Sequence, residues 1–430
     1  MAYGGGTFTA QNKVLPGAYL NFVSAARASA QLGARGTAAL FLPLSWGPEG
    51  VVTSLKAEYF AQEAMRLFGC SADDESLRPV REAFCNAETL LFYRPAGGGK
   101  AQSTHASARY GGSGGNRIRI VIRENSGSYE VATVVDGTEQ EVQTVANAAE
   151  LVPNDFVTFT DAALAATAGE PLTGGTDKEP ETADYEAFLK AVEPFTFQAL
   201  GCASTDEEVN ALFVSFTRRM REEAGVKFQT VLYRTDADYE GVISVQNSAQ
   251  EEEPALVYWV TGAAAGCAVN KSCSNKIYDG AYTPDLSCTQ AELEQGMQAG
   301  QFLFHQAGGQ VRVLSDVNTL VTFTADKGED FALNQTVRVL DQIANDVASL
   351  FCTRYLGQIP NDEAGRISLW NDIVKHHQEL ERQRAIENFD PENVQVAAGQ
   401  TKRSVIVTDA VTPVCAMEQL YMTVTVAGAA

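Results

Sequence analysis

The sequence is poor in the residue types that usually build chemical sites. Among its 430 residues there are only four histidines and three tryptophans. No apolar run approaches the roughly 18 residues that indicate a transmembrane helix, which excludes a helical membrane span. The first residues, Met1 to Gly4, lack the basic and apolar regions of a signal peptide. We therefore expect a cytoplasmic protein with no direct membrane insertion.

Cysteine pairs of the CxxC type are also absent. The nearest approach to a cluster is Cys267, Cys273 and Cys288, and no histidine lies close to them in the sequence. Reduced cysteines commonly pack as small hydrophobic side chains. We expect buried or free thiols, with no metal and no cofactor; a metal site or a disulfide is the alternative.

Positive charge is scarce, since 32 basic residues face 54 acidic ones and the net charge is −22. This imbalance disfavours nucleic acid and anionic membranes as partners. The acidic residues concentrate in runs such as TDKEPETADYE and QEEEP. Such runs are typical of solvated loops.

Catalytic motifs are incomplete or missing. The segment GGGKAQS does not fit a phosphate-binding loop, because Lys100 is followed by alanine instead of serine or threonine. The segment KHHQELE places His376 and His377 next to each other, whereas a zinc-binding helix needs histidines four residues apart. We expect a packed His377. We expect no nucleophile elbow of the GxSxG type.

Apolar periodicity divides the chain into five regions. We predict an N-terminal arm (1–24), a small α/β domain (25–96), a β-rich, sandwich-like domain (97–180), an α/β core domain (181–330) and a C-terminal α+β domain (331–430). The fold class is therefore α/β and β multidomain. Its α/β core has an inserted or preceding β-rich domain, and the chain has extended N- and C-terminal arms.

Local signals add detail to this division. Ser204 with Glu207, and Thr289 with Glu292, have the spacing of helix capping boxes. Asn-Ser-Gly and Asp-Gly predict tight hairpin turns in the β-rich domain. The segments VKFQTVLYR, GVISVQN and ALVYWVTGAAAG are short apolar elements of the core. Two long helices and a terminal strand close the chain.

At both chain ends, apolar and polar residues alternate as they do along a strand, and the segment is presented at a terminus. The residues that would be buried on pairing are Phe8, Val14, Leu15, Tyr19 and Phe22 at one end and Leu420, Met422, Val424 and Val426 at the other. An unpaired strand invites addition to another sheet edge. Physical arguments alone leave two alternatives open: pairing with another subunit, or folding back onto the same subunit.

The sequence resembles contractile tail sheath proteins of Gram-positive phages, defective prophages and phage-tail-like bacteriocins. The segments that carry the resemblance include GGGTFTAQNKVLPGAYLNFVSAARAS, GTAALFLPLSWGPEG, ARYGGSGGNRIRIVI and DYEAFLKAVEPFTFQALGC. The resemblance covers essentially the whole chain and is most specific in the first half. The QEEEP and CAVNKSC segments depart from the pattern.

The resemblance implies a structural protein without catalytic residues. It would polymerise as a helical sheath around an inner tube and contract from a metastable extended state, with the two arms joining neighbouring copies. Implied partners are further copies, the inner tube protein, and baseplate and tail terminator proteins. The implied location is the bacterial host cytoplasm during assembly and the released particle afterwards. Lys375, Arg382 and Arg384 are candidate tube-facing residues; a mixed-charge solvated helix face is the alternative.

Two other functions are compatible with parts of the sequence. An α/β enzyme of the hydrolase type would use residues 181–330, although no convergent catalytic groups are recognisable there. A non-contractile, self-assembling shell protein would also use strand exchange, but would form flat arrays.

The absence of a catalytic motif gives a direct test. We expect a fluorophosphonate probe to leave the folded protein unlabelled, because such probes react only with an activated nucleophile. Intact-mass analysis of the treated protein measures this. A single stoichiometric adduct would favour the enzyme alternative.

Overall fold

The computed structural model describes residues 32–426. Within that range the chain divides into two compact units. The larger unit contains Gly33–Asn345, Gln383–Asn388 and residues 411–426; the smaller unit contains Asp346–Arg382 and Phe389–Ala410. The predicted domain limits differ from this division, as described for each part below.

The first part of the larger unit alternates strands and helices. Its elements are β1 (Thr37–Phe41), β2 (Val52–Lys56), α1 (Phe60–Phe68), α2 (Arg78–Phe84) and β3 (Thr89–Tyr93). Helix α1 ends at Gly69, whose φ of 68° is the left-handed conformation that glycine adopts without a steric penalty.

An all-β module follows β3. Its strands are β4 (Ala106–Ala108), β5 (Ile118–Asn125), β6 (Ser128–Val135), β7 (Thr138–Val145), β8 (Val157–Phe159) and β9 (Thr167–Pro171). Four of them form an antiparallel sheet in the order β7-β6-β5-β9. Both predicted tight turns are present: Ser126 and Gly127, like Asp136 and Gly137, have positive φ angles, as the primed hairpin turns require. The module packs around Ile118, Ile120 and Trp46.

The chain then returns to alternating elements. These are α3 (Thr182–Val192), β10 (Ala199–Cys202), α4 (Glu207–Arg219), β11 (Gln229–Tyr233), β12 (Val242–Val245), α5 (Leu256–Gly266), α6 (Gln290–Gln298), β13 (Gln301–Phe302), β14 (Phe304–Ala307) and β15 (Gln310–Val313). The Thr289–Glu292 capping box is present. The Ser204–Glu207 prediction is wrong: Asp206 caps α4 by accepting from the amide of Glu208, and Ser204 accepts from the amide of Asp206.

One seven-stranded sheet joins the two α/β stretches, in the order β13-β12-β11-β10-β1-β3-β2. All neighbouring pairs are parallel except β2 and β3. Regions 25–96 and 181–330, predicted as separate domains, thus contribute to one core, and the β-rich module is inserted between them. The two regions share one sheet because β1 pairs with β3 on one side and with β10 on the other.

Helices cover both faces of the sheet, so its strands are buried on both sides. On β1, Ala38 and Leu40 join the core beneath α2 and α5, whereas Ala39 and Phe41 join the core beneath α3 and α4. The segment ALVYWVTGAAAG, interpreted above as a short apolar element, is helix α5. It is buried along its whole length, which removes the periodicity that marks a surface helix.

The C-terminal region has long helices and short strands. Its elements are α7 (Asn334–Leu350), α8 (Glu363–Arg382), β16 (Ile386–Glu387), β17 (Gln395–Ala398), β18 (Val405–Thr408) and β19 (Thr412–Pro413). Helix α7 begins in the larger unit and ends in the smaller one, so the larger unit extends beyond the predicted limit at residue 330. The first half of α7 belongs there because its polar face is buried: Asn334, Arg338 and Asp341 all bond to that unit.

Helix α5 approaches α2 so closely that only glycine fits at one position. A Cβ atom on Gly262 would lie 2.3 Å from the backbone oxygen of Ala83. We expect Gly262→Ala to lower the free energy of unfolding by about 1–3 kcal/mol, because the two backbones would have to separate. Urea denaturation of the variant measures this. Gly328→Ala is the matched control, because a Cβ there would meet nothing within 4 Å; equal losses in both variants would contradict the close-packing explanation.

Candidate functional site

The C-terminal segment leaves the larger unit as an exposed chain without helix or strand. After β19 the backbone forms neither helix nor strand up to residue 426. The four predicted pairing residues project into solvent, with exposed fractions of 86% for Leu420, 74% for Met422, 71% for Val424 and 88% for Val426. They are therefore not folded back onto their own subunit. The predicted terminal strand has no partner strand within the described residues.

The root of this segment is held firmly. The amide of Val414 donates to the carbonyl oxygen of Ala385 at 2.9 Å. The amide of Ala416 donates to Oε1 of Gln335, on α7, also at 2.9 Å. These bonds fix where the free part of the segment begins.

Glu418 adds a side-chain anchor that the sequence did not predict. One carboxylate oxygen accepts from Oγ of Ser274 at 2.5 Å, and the other accepts from Oγ of Ser315 at 2.9 Å. The serines lie 144 and 103 residues away from Glu418 in the sequence, so no local motif marks the contact. Hydrogen bonds to a charged acceptor are stronger than neutral ones. We call Gln335, Ser274, Ser315 and Glu418 the anchor.

One carboxylate organises the surroundings of the anchor. Asp316, adjacent to Ser315, accepts from the amide of Cys273, from Nδ2 of Asn334 and from Nη2 of Arg338. Burial is the largest influence and acts to lower the pKa of Arg338, but the charge of Asp316, the nearby Cys267 and Cys273 and the hydrogen bond to Asp316 together hold that pKa above its ordinary value. Arg338 therefore stays charged although both side chains of the pair are buried.

The other predicted arm is the N-terminal one, residues 1–24. Phe8, Val14, Leu15, Tyr19 and Phe22 lie outside the described residues. Their role in pairing stays a prediction.

The smaller unit contains a two-stranded sheet whose outer edges are unpaired in the described part of the chain. Strands β17 and β18 form an antiparallel pair, and within residues 32–426 no third strand lies beside either of them. Next to this pair is a groove of about 380 Å³ with an apolar floor that includes Leu369 and Val405. The cationic side chains of Arg366, Lys402 and Arg403 also line it.

Two of the three candidate tube-facing residues lie on one face of α8. Lys375 and Arg382 are exposed and two helical turns apart. Arg382 pairs with Glu379, whose carboxylate accepts from its guanidinium and raises the pKa of Arg382. Arg384 is exposed in the segment that follows the helix. The structure thus places all three at the surface.

His376 and His377 are buried and bonded to each other. Their Nδ1 atoms are 3.2 Å apart, while Nε2 of His376 meets Asp346 at 2.9 Å and Nε2 of His377 meets Asp409 at 2.6 Å. The expected packing of His377 is confirmed. The rings nevertheless meet, although adjacent positions on a helix point about 100° apart. A hydrogen bond between two Nδ1 atoms requires that one of them donates and the other accepts.

The described residues contain neither a bilayer-crossing helix nor a metal-binding cluster. Within residues 32–426 no helix has the length and apolar character that crossing a bilayer requires. No group of three or more His, Cys, Asp and Glu side chains in that range is arranged to hold a metal ion.

Three family models match the chain. They are the phage tail sheath protein central domain over residues 178–319, the phage tail sheath C-terminal domain over residues 326–427, and the tail sheath protein Gp18 domain III N-terminal region over residues 35–94. Together they match most of the chain outside the inserted β-rich module.

Individual proteins that are similar to this chain point to the same family as the family models. The crystal structure of the sheath tail protein from Desulfitobacterium hafniense is 37% identical, with a TM-score of 0.82 over 94% of this chain and 98% of that one. The phage-like element PBSX protein XkdK of Bacillus subtilis (strain 168) is 34% identical over 98% of this chain and 99% of its own length. The anti-feeding prophage helical sheath in its contracted state has a TM-score of 0.57 at 13% identity, covering 96% of this chain and 99% of that one, which is a likeness of fold.

The anchor can be tested in the isolated subunit. We expect Glu418→Ala to raise the hydrogen-exchange rate of the Ala416 amide by about tenfold, because losing about 1.5 kcal/mol of charge-assisted bonding eases local opening. Exchange followed by mass spectrometry measures this. Met417→Ala is the control, because Met417 is fully exposed. An unchanged rate at Ala416 in the Glu418 variant would contradict the anchoring role.

Proposed function

The chain belongs to the phage tail sheath family, and on that premise we propose that it polymerises as a helical sheath around an inner tube by exchanging strands between copies. The family is structural and not enzymatic, so the hydrolase-like alternative is set aside. The observation that carries the proposal is the exposed C-terminal segment, with Leu420, Met422, Val424 and Val426 unburied.

Alternation along this segment supports strand addition to a neighbour. Residues 420, 422, 424 and 426 share one face of an extended chain, and Thr423 and Thr425 lie on the other. Fully burying one Val, Leu or Met side chain stabilises by about 1.5–3 kcal/mol, and each backbone hydrogen bond adds about 1 kcal/mol. Ordering an extended chain costs about 1–2 kcal/mol per residue. Both the apolar face and the backbone pairing are therefore needed for net binding.

The partner surface that fits such a strand is the β17–β18 pair of another copy. Both of its strands are edges in the described structure, and the apolar groove borders Val405 of β18. The C-terminal segment occupies one edge and the N-terminal arm of a further copy occupies the other. Each subunit is then linked to several neighbours, which multiplies the stability of the array.

These links let the sheath contract without dissociating. It assembles on the tube in an extended, metastable state, and subunits then rotate outward and bury more surface against each other. A gain of a few kcal/mol per subunit, summed over many subunits, drives the tube through a target envelope. The likeness of fold to a sheath in its contracted state supports this step.

Weak electrostatic contacts suit the inner surface, because the sheath must release the tube during contraction. Lys375, Arg382 and Arg384 supply exposed positive charge in a protein of net charge −22. They face the tube in this proposal. Baseplate and terminator proteins limit the two ends of the sheath. Assembly takes place in the host cytoplasm, and the finished sheath belongs to the released particle.

The apolar face of the terminal segment gives the decisive test. We expect the double variant Leu420→Asp with Val424→Asp to form no tubes, because the charges would have to be buried on strand addition. Negative-stain electron microscopy of the purified protein, alone and with tube protein, measures this.

The matched control changes the opposite face. Thr423→Asp with Thr425→Asp keeps the charge and the chain length of the first variant, and we expect it to assemble. If both variants assemble like the parent protein, strand exchange by this segment is wrong. Flat arrays from the parent protein would favour a non-contractile shell.

A further inference from the structure

The groove beside β18 in the smaller unit carries positive charge without an ion-pair partner in the described part of the chain. Arg366 donates to the carbonyl and side-chain oxygens of Asn361, which are neutral acceptors. The side chains of Lys402 and Arg403 form no hydrogen bond among the described residues, and no carboxylate there pairs with any of the three cations. Leu356, which also lines the groove, is 59% exposed. We call this surface the cationic groove.

The cationic groove suits a segment that is both acidic and apolar, because its lining combines apolar side chains with unpaired cations. Its volume of about 380 Å³ lies in the range of clefts that enclose a ligand. Neither chain end has this composition. Residues 1–24 contain no aspartate or glutamate, and Glu418, the one acidic side chain of residues 411–430, is held by two serines. The exchanged strands are therefore poor occupants of the groove.

A turn of the larger unit, residues 321–330, has the complementary composition. Its apolar side chains Val321 and Phe323 are 43% and 48% exposed. The turn also presents three exposed carboxylates that form no hydrogen bond or ion pair within the described structure, those of Asp326, Glu329 and Asp330. We call this segment the acidic turn.

The acidic turn is fixed to its own copy at two points. The amides of Val321 and Thr322 donate to Oδ1 of Asp238 at 2.8 and 2.9 Å. Nζ of Lys327 donates to Oε1 of Glu240 at 2.6 Å, which neutralises the single cation of the turn. A segment that is already held in place loses little conformational entropy when it binds. The turn thus presents net negative charge on a preformed surface.

The other acidic runs of the sequence are bonded within their own copy. In QEEEP, Glu251, Glu252 and Glu253 all accept hydrogen bonds from side chains of the same copy. In TDKEPETADYE, Asp177 and Asp184 do so as well. Their carboxylates would have to give up these partners in order to bind elsewhere, whereas those of the acidic turn would not.

We propose that the cationic groove of one copy binds the acidic turn of another copy. Phe323 enters the apolar part of the groove, and the carboxylates of the turn face Lys402 and Arg403. Because each copy has a net charge of −22, copies repel one another, and a local contact of opposite charge orients their approach. The contact rests on the proposed function in that it needs copies packed side by side, but it uses neither exchanged strand.

A zero-length cross-link tests the contact directly. Isotope-labelled and unlabelled full-length protein are mixed in equal amounts, and a carbodiimide is added to the concentrated subunits and to tubes assembled with tube protein. We expect peptide mapping to find Lys402 joined to a carboxylate of the acidic turn, with labelled and unlabelled chains joined as often as like chains. No such cross-link, cross-links within single chains only, or a link from Lys402 to tube protein in its place would each overturn the proposal.

Charge reversal tests the same contact through assembly. The groove variant Lys402→Glu with Arg403→Glu should need at least about tenfold more protein to form tubes, because like charges then face each other. The turn variant Asp326→Lys with Glu329→Lys should show the same loss. Combining all four changes restores opposite charges, and we expect it to recover the assembly of the parent protein in negative-stain electron microscopy.

The matched control is Arg119→Glu with Lys190→Glu, which changes the net charge as much as the groove variant does. Both residues are exposed and form no ion pair within the described structure, so we expect assembly like that of the parent protein. If the groove and turn variants assemble normally, if the control loses as much as they do, or if the combined variant does not recover, the docking contact is wrong and strand exchange stands. If strand exchange is wrong instead, the cross-link at Lys402 still forms in the concentrated subunits.

Discussion

The buried carboxylate of Asp316 is the contact on which the C-terminal part of the larger unit depends. It receives hydrogen bonds from the loop at Cys273, from the start of α7 and from Arg338, and its neighbour Ser315 holds Glu418. A buried charge is tolerated only when it is paired and its remaining lone pairs are satisfied. The same requirement fixes the loop, the helix and the root of the terminal segment relative to one another.

Predictions from the sequence succeeded where the signal was local. The two hairpin turns of the β-rich module and the Thr289 cap were readable because each depends on a few adjacent residues. The prediction for α5 was incomplete because a helix buried on all sides has no polar face. The common sheet of regions 25–96 and 181–330 was missed because the pairing of β1 with β10 spans the entire inserted module.

At the candidate site, too, the features with a local signal were predicted and those that depend on distant residues were not. The choice of Leu420, Met422, Val424 and Val426 as a candidate segment followed from strand-like alternation near a chain end, which is a local pattern. The anchor did not, because Glu418 meets serines that are distant in sequence and common in composition. The contact between His376 and His377 was also unexpected. Ideal helix geometry separates adjacent side chains, and the rings meet while each of them also reaches an aspartate.

The exposed C-terminal segment has a consequence for the supply of subunits. A free chain that displays alternating apolar residues with an unpaired backbone is also a template for disordered aggregation. Under the proposed strand exchange, productive assembly therefore competes with aggregation, and the competition worsens as the concentration of unassembled chains rises. A growing end that captures subunits quickly keeps that concentration low. The amount of subunit synthesised must consequently be matched to the number of growing particles, and an excess of subunits is harmful.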